Sequence, residues 1–346
     1  MWRSLTAAVL GLLSLNGCSD PLDADVRDQI RVVGSGTVYP FAQAVAERFV
    51  RTNGAAYKSP IIEATGTGAG MKLFCAGVGA RYPDITNASR RIKLAEYQMC
   101  TGNGVRQIAE VQIGLDGISF AEAKNGPNLS LTLGDVYKAL AAKPFGKPQT
   151  AKLWSDVNPA LPAIPIAVYG PPSTSGTRDA LSELILTKGC DSDPAMQALK
   201  KSDEAQHKKI CTTIREDGAY VDAGENDNLV VQKLVANPQS IGVFGFSFYE
   251  ENRDRLKDVP LNGVIATYDA ISDFSYPGAR PLYIYVKLPH LRAVPGLREF
   301  VGSYADAITP SGYLKGRGMI VAPADVVAAS LEQLRALKPL DPAQLK

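Results

Sequence analysis

Ile30-Arg31-Val32-Val33-Gly34-Ser35-Gly36-Thr37-Val38-Tyr39-Pro40-Phe41 decides the fold class. The β-branched run Ile30 to Val33 reads as a strand and Gly34-Ser35-Gly36 as a turn. Phe41, Val45 and Phe49 then recur at four-residue spacing, the buried stripe of a helix. The same order returns at Ile164 to Val168, followed by Gly170-Pro171-Pro172-Ser173-Thr174-Ser175-Gly176 and a helix with Leu181, Leu184 and Ile185 on one face. Strand, glycine turn and helix in alternation predict an α/β chain.

Further strands are expected at Ile113 to Phe120, Ile241 to Phe246, Val264 to Tyr268 and Leu282 to Lys287. In the last of these Leu282, Ile284 and Val286 share one face, and Tyr283 and Tyr285 take the other. A chain of 346 residues exceeds one ordinary core and calls for two lobes. The expected division gives residues 30–115 with 264–346 to lobe one and 116–263 to lobe two. Two strands crossing between lobes form a hinge, which suits closure around a ligand held between them. No fixed-period repeat, heptad pattern or low-complexity block interrupts this organisation.

The composition, 45% hydrophobic and 21% charged, lies in the soluble globular range. The net charge of +2 is spread along the chain rather than gathered in a basic run, so nucleic acid is not an expected partner. Arg3 and the apolar stretch Leu5 to Leu15 have the length of a signal-peptide core and fall short of a bilayer span, so residues 1–17 are expected to be an export signal. Leu15-Asn16-Gly17-Cys18 resembles a bacterial lipobox, although Asn16 is unusual there. That makes Cys18 the expected lipidation site, residues 18–29 the lipidated start and tether, and the periplasmic side of a membrane the expected location. Ordinary cleavage that removes Cys18 is the alternative. Ser19 stands where an aspartate retains Gram-negative lipoproteins at the inner membrane, and Asp20 comes one place late, which favours the outer membrane.

Cys75, Cys100, Cys190 and Cys211 remain in the mature chain. An even count in an exported protein favours disulfides over buried thiols, and four cysteines allow three connectivities. Pairing of neighbours, Cys75 with Cys100 and Cys190 with Cys211, keeps each bond inside one lobe and is the expected one.

Four Gly/Ser/Thr clusters stand just before expected helices: Gly34 to Thr37, Thr65 to Gly70, Asn87 to Arg90, and Ser173 to Arg178. A helix N-terminus carries unpaired N–H groups and about half a positive charge, so it attracts anions. Glycine lets an oxyanion approach the backbone, and Ser and Thr add hydroxyl donors. Arg90 and Arg178 offer planar forks that match two oxyanion oxygens. One such cluster is most often a plain N-cap. Four of them, two ending in arginine, point to a small oxyanion held where the lobes face each other.

Val32 to Phe41, the stretch Thr65 to Gly77, Asp84-Ile85-Thr86-Asn87-Ala88-Ser89-Arg90 and Thr174-Ser175-Gly176-Thr177-Arg178-Asp179 together resemble the PstS-type phosphate-binding proteins of phosphate ABC transporters. Glu225-Asn226-Asp227-Asn228 and Ile241-Gly242-Val243-Phe244-Gly245 extend the likeness, which runs from about residue 30 to the C-terminus. The resemblance implies a two-lobed periplasmic-binding-protein fold, an inorganic phosphate ligand, an ABC permease as partner, no cofactor and no metal. It implies phosphate contacts from Ser35, Thr37, Thr67, Gly68, Ser89, Arg90, Ser175, Gly176, Thr177 and Arg178. The best-known branch has Ala-Ser-Asp where this chain has Ala88-Ser89-Arg90, and its arginine precedes the Ser-Gly-Thr that Arg178 follows here. That aspartate accepts a hydrogen bond from the proton on phosphate, which fully ionised sulfate cannot offer, and Glu63, Asp84 and Asp179 are the candidates, by proximity in sequence, for the missing acceptor.

An enzyme is not expected. Only His207 and His290 are present, too few for a histidine-rich metal cluster, and the run Gln206-His207-Lys208-Lys209 reads as a solvated face. Gly-x-Ser-x-Gly, Ser-x-x-Lys and Gly-x-x-x-x-Gly-Lys-Ser/Thr are absent from the sequence. The remaining alternative is a surface or sensory lipoprotein that binds an oxyanion without feeding a permease.

Overall fold

The computed structural model describes residues 27–173, 175–223 and 227–345. Cys18 and the rest of the leader, Thr174, Glu225 and Asn226 lie outside these residues. The strands are β1 (Arg31–Gly34), β2 (Ile61–Ala64), β3 (Ile85–Ala88), β4 (Ile108–Ala123), β5 (Val168–Gly170), β6 (Tyr220–Asp222), β7 (Ile241–Gly245), β8 (Leu256–Asp258) and β9 (Ala279–Lys287). They form one path, β2-β1-β3-β9-β4-β7-β5-β6, with β8 also on β4.

The 16 residues of β4 organise the molecule. Its first part, Ile108 to Gly117, pairs antiparallel with β9, and its last part, Ile118 to Ala123, pairs with β7 and β8. Parallel pairs flank it on both sides: β1 with β2 and β3, and β5 with β6 and β7. Parallel strands need crossover helices, which is why each half alternates strand and helix as its sequence does.

Phe41, Val45 and Phe49 are buried on the helix Tyr39–Asn53 as their spacing predicts. Leu282, Ile284 and Val286 join Val32, Val45 and Phe300 in one core, whereas Tyr283 and Tyr285 join Met71, Phe74 and the Cys75–Cys100 pair in a second. A third core gathers Leu115 to Ala279, including Trp154, Ile185 and Val243, and adds Ile320 to Ala322 and Val327. Both expected disulfides are present, Cys75–Cys100 and Cys190–Cys211.

Three local expectations fail. Val264 to Tyr268 is not a strand: Val264 makes one bridge to Leu261, and the Thr267 side chain caps the helix Tyr268–Ser272. A Thr before a helix serves better as an N-cap than as a strand end. At Ile164 to Val168 the strand begins only at Val168, because Pro165 has no N–H to give a ladder. His207 is buried, not solvated. It lies four residues before Cys211 on the helix Glu204–Thr212, so both face the core, and its Nε2 is 2.7 Å from Asp191 Oδ1. The expected helix through Leu181 and Ile185 exists, but a π-helical turn, Leu181–Leu186, joins Gly176–Ala180 to Thr187–Cys190.

Candidate functional site

Gly34 ends β1 with φ +127°, and a Cβ there would lie 2.1 Å from the Asn87 carbonyl oxygen. Only glycine can bring the loop after β1 against the end of β3, where the Ser35 N–H donates to the same carbonyl at 2.9 Å. The loop before the helix Thr67–Phe74 joins them. Thr67 Oγ1 accepts from the Ser89 N–H at 3.1 Å and lies 3.0 Å from Ser89 Oγ. The first three clusters are therefore one continuous patch at the C-terminal ends of parallel strands, where α/β sheets place their ligands.

The fourth cluster meets this patch from the other half of the sheet. Ser175 is the N-cap of the helical stretch that runs from Gly176 to Cys190, and its Oγ accepts from the Thr177 N–H at 3.2 Å. The N-cap reading is thus correct for Ser175, yet its hydroxyl proton stays free to donate. A Cβ on Gly176 would lie 2.2 Å from the Thr37 amide nitrogen, and one on Gly66 would lie 3.6 Å from Asp179 Oδ2. The two halves of the molecule touch here. Beside the contact opens a cavity of about 450 Å³ with Thr37, Asp116, Ser175, Gly176, Thr177 and Arg317 in its walls.

The two arginines singled out in the sequence are held at the margins. Arg90 forks onto Glu96 at 2.9 and 2.7 Å and lies 3.6 Å from Glu183. Burial works against its charge, but these carboxylates outweigh it and raise its pKa. Arg178 lies 4.4 Å over the ring of Tyr220 and donates to the Pro171 carbonyl at 3.2 Å. The arginine that the sequence reading missed is Arg280, 1% exposed, on β9 directly opposite Asp116 on β4. Its Nε and Nη2 both donate to Asp116 Oδ2, at 3.0 and 2.9 Å, while Nη2 also reaches Thr37 Oγ1 at 2.5 Å and the Gly176 carbonyl at 3.2 Å. No local pattern singles out this pair, since β4 also carries Glu110, Gln112 and Glu122 and β9 carries Lys287.

Of the three candidate acceptors, only Asp179 lies at this junction. Asp84 precedes β3, about 16 Å of extended chain from Ser89, and it accepts from the Arg31 N–H at 2.8 Å and from His290 Nδ1 at 2.7 Å and pairs with Arg27. His290 Nε2 accepts from the Gly79 N–H, which leaves the ring proton on Nδ1. Beside this group Lys287 is fully buried over the rings of Phe74 and Tyr82, and burial brings its pKa down to about 7. Glu63 is half-exposed and 3.6 Å from Arg31. Asp179 stands in the first turn of the Gly176 helix with its pKa raised, by burial first and by Glu183 second, against the pull of Arg280, Lys208 and Arg90.

Several donors at the junction have no protein partner: Ser35 Oγ, Thr65 Oγ1 and Arg280 Nη1 are buried without a hydrogen bond. Buried donors of this kind fit a ligand rich in acceptors. A tetrahedral oxyanion offers them.

The model of the PBP superfamily domain matches residues 20–304. Protein SphX of Synechococcus elongatus is 32% identical over 315 residues, 88% of this chain and 81% of its own length. The phosphate-binding protein PstS of Staphylococcus saprophyticus is 30% identical over 306 residues, covering 86% of this chain and 82% of its own. Among solved structures, a possible phosphate binding protein from Planctomyces limnophilus superposes with a TM-score of 0.68 at 27% identity, covering 90% of this chain and 98% of that one.

Proposed function

The chain belongs to the PBP superfamily, among the PstS-type phosphate-binding proteins, and on that premise we propose that it captures inorganic phosphate between two lobes and delivers it to an ABC permease. The observation that carries this reading is the meeting of Thr37 and Gly176, from opposite halves of the sheet, beside buried donors without partners. Ser35, Thr37, Thr67, Ser89, Ser175 and Thr177 donate hydroxyl or amide hydrogens to the phosphate oxygens, and Gly68 and Gly176 allow close approach. Arg90 and Arg178 add positive potential from the margins.

Asp179 is the acceptor that replaces the missing aspartate at position 90. Its carboxylate accepts a hydrogen bond from the P–OH group that phosphate keeps at neutral pH and sulfate lacks. A lone carboxylate facing sulfate repels it, so one group supplies both attraction and rejection.

The lobes are those of the sequence reading, residues 30–115 with a late return as lobe one and the middle of the chain as lobe two. Core membership supports a return nearer residue 280 than 264, since Ile271, Tyr276 and Ala279 pack with Leu115 to Leu261 whereas Leu282 packs with Val32. The protein works outside the cytoplasmic membrane, tethered through Cys18. Among the described residues no helix is long and apolar enough to cross a membrane.

Two measurements test this. Purified protein dialysed against labelled phosphate retains it at one site per chain. A deletion strain grows slowly on limiting phosphate and recovers with the wild-type gene; normal growth of the deletion strain removes the transport role and leaves the lipoprotein as a sensor.

A further inference from the structure

Arg280 is joined to both halves of the molecule, and its hydrogen bonds converge on the cavity walls. Thr37 belongs to the loop after β1, Gly176 to the helix start after β5, and Asp116 to β4, and the Arg280 guanidinium donates to all three. All three also wall the 450 Å³ cavity. The pair Asp116↔Arg280 sits in register where β4 passes from β9 to β7, one residue before Gly117↔Ala279 and two before Ile118↔Gly245. It therefore occupies the crossing between the halves.

Resting on the phosphate-binding reading, we propose that Arg280 is the charged donor that contacts the bound oxyanion, and that Asp116 holds it in the pose that couples contact to closure. Three features support the assignment. Arg280 Nη1 is buried with no hydrogen-bond partner, so this side chain has one donor uncommitted behind the cavity walls formed by Thr37, Asp116 and Gly176. Nε and Nη2 are fixed by one carboxylate oxygen, which orients the planar fork in advance and lowers the ordering cost of binding. Finally, Thr37 and Arg280 share lobe one while Gly176 comes from the other half, so the Gly176 contact is made only when the halves meet and the cation is completely framed in the closed form alone. Arg90 also keeps a buried nitrogen without a hydrogen bond, Nε, but that atom faces Glu183 at 3.6 Å and both its terminal nitrogens are held by Glu96, while Arg178 is stacked on Tyr220.

Equilibrium dialysis with labelled phosphate on the full chain, for wild type, Arg280→Lys and Arg280→Gln, together with the melting temperature of each unliganded protein, tests this. The expected result is a loss of at least tenfold in affinity for Arg280→Lys, which keeps the charge but not the fork, and at least a hundredfold for Arg280→Gln. Phosphate should also raise the melting temperature of wild type more than that of either variant. A purely structural Arg280 lowers the unliganded melting temperature and leaves the affinity intact, and that outcome overturns the proposal. If Arg280→Gln does not fold, Arg280→Lys decides by itself, with wild-type affinity as the contrary result. Wild-type protein that retains no phosphate is a separate failure, of the function on which this proposal rests.

Discussion

Gly176 presses against Thr37 so closely that a Cβ at position 176 would lie 2.2 Å from the Thr37 amide nitrogen. The two residues belong to different halves of the sheet, so the contact exists only when the halves are closed. Gly176→Ala is therefore expected to weaken phosphate binding at least tenfold, about 1.4 kcal/mol. Its unliganded melting temperature should stay near that of wild type, because an open form has room for the methyl. A variant that binds normally would show that closure does not bring these loops together.

Asp179→Asn tests the hydrogen-bond acceptor. The variant is expected to lose at least tenfold of the preference for phosphate over sulfate, measured by competition. The burial and the Glu183 charge that raise the Asp179 pKa also fix the sign of its pH dependence. The group accepts only when ionised, so its contribution to affinity is present above the raised pKa and fades as pH falls through it. The gap between wild type and Asp179→Asn should close at acid pH; a gap that is constant with pH contradicts the assignment.

Lys287 carries a cost in its buried position, since burial holds its pKa at about 7 against 10.5 for a free lysine. Below pH 7 both folded and unfolded chains are protonated and the full cost applies. Between about 7 and 10.5 the unfolded chain binds the extra proton, so stability rises with pH across that window. Lys287→Met is expected to be at least as stable as wild type at pH 6.5, with its advantage shrinking by pH 10. Urea melts at both pH values check this, and an advantage that grows with pH would contradict it.

The disulfide Cys190–Cys211 closes a loop of 21 residues and should stabilise lobe two by about 3 kcal/mol in the chain-entropy account. Cys190→Ser with Cys211→Ser should lower the denaturation midpoint accordingly and leave phosphate affinity unchanged. Neither cysteine belongs to the proposed site. A change in affinity larger than threefold would tie lobe two packing to the ligand more tightly than the geometry does.

What could be read from the sequence was what is local. Gly34 to Thr37 and Ser175 to Arg178 announce themselves because turn chemistry and helix starts are set by neighbours in the chain, and the structure brings those two clusters together. Arg280 and Asp116 stand 164 residues apart and meet only through the β4 and β9 register, which no local pattern encodes. Val264 to Tyr268 misled because Val, Ile, Thr and Tyr favour strands, while Thr267 found a cap to make instead. His207 misled because the lysines beside it mark one side of a helix whose other side carries Cys211 into the core.

Isothermal titration of the mature chain with inorganic phosphate, then with sulfate, tests the central claim most directly. The account predicts one phosphate per chain with a dissociation constant of about 1 μM or below, close to −8 kcal/mol, and sulfate at least a hundredfold weaker. Sulfate binding as tight as phosphate would contradict the selectivity assigned to Asp179, and no heat or saturation with phosphate would contradict the function itself.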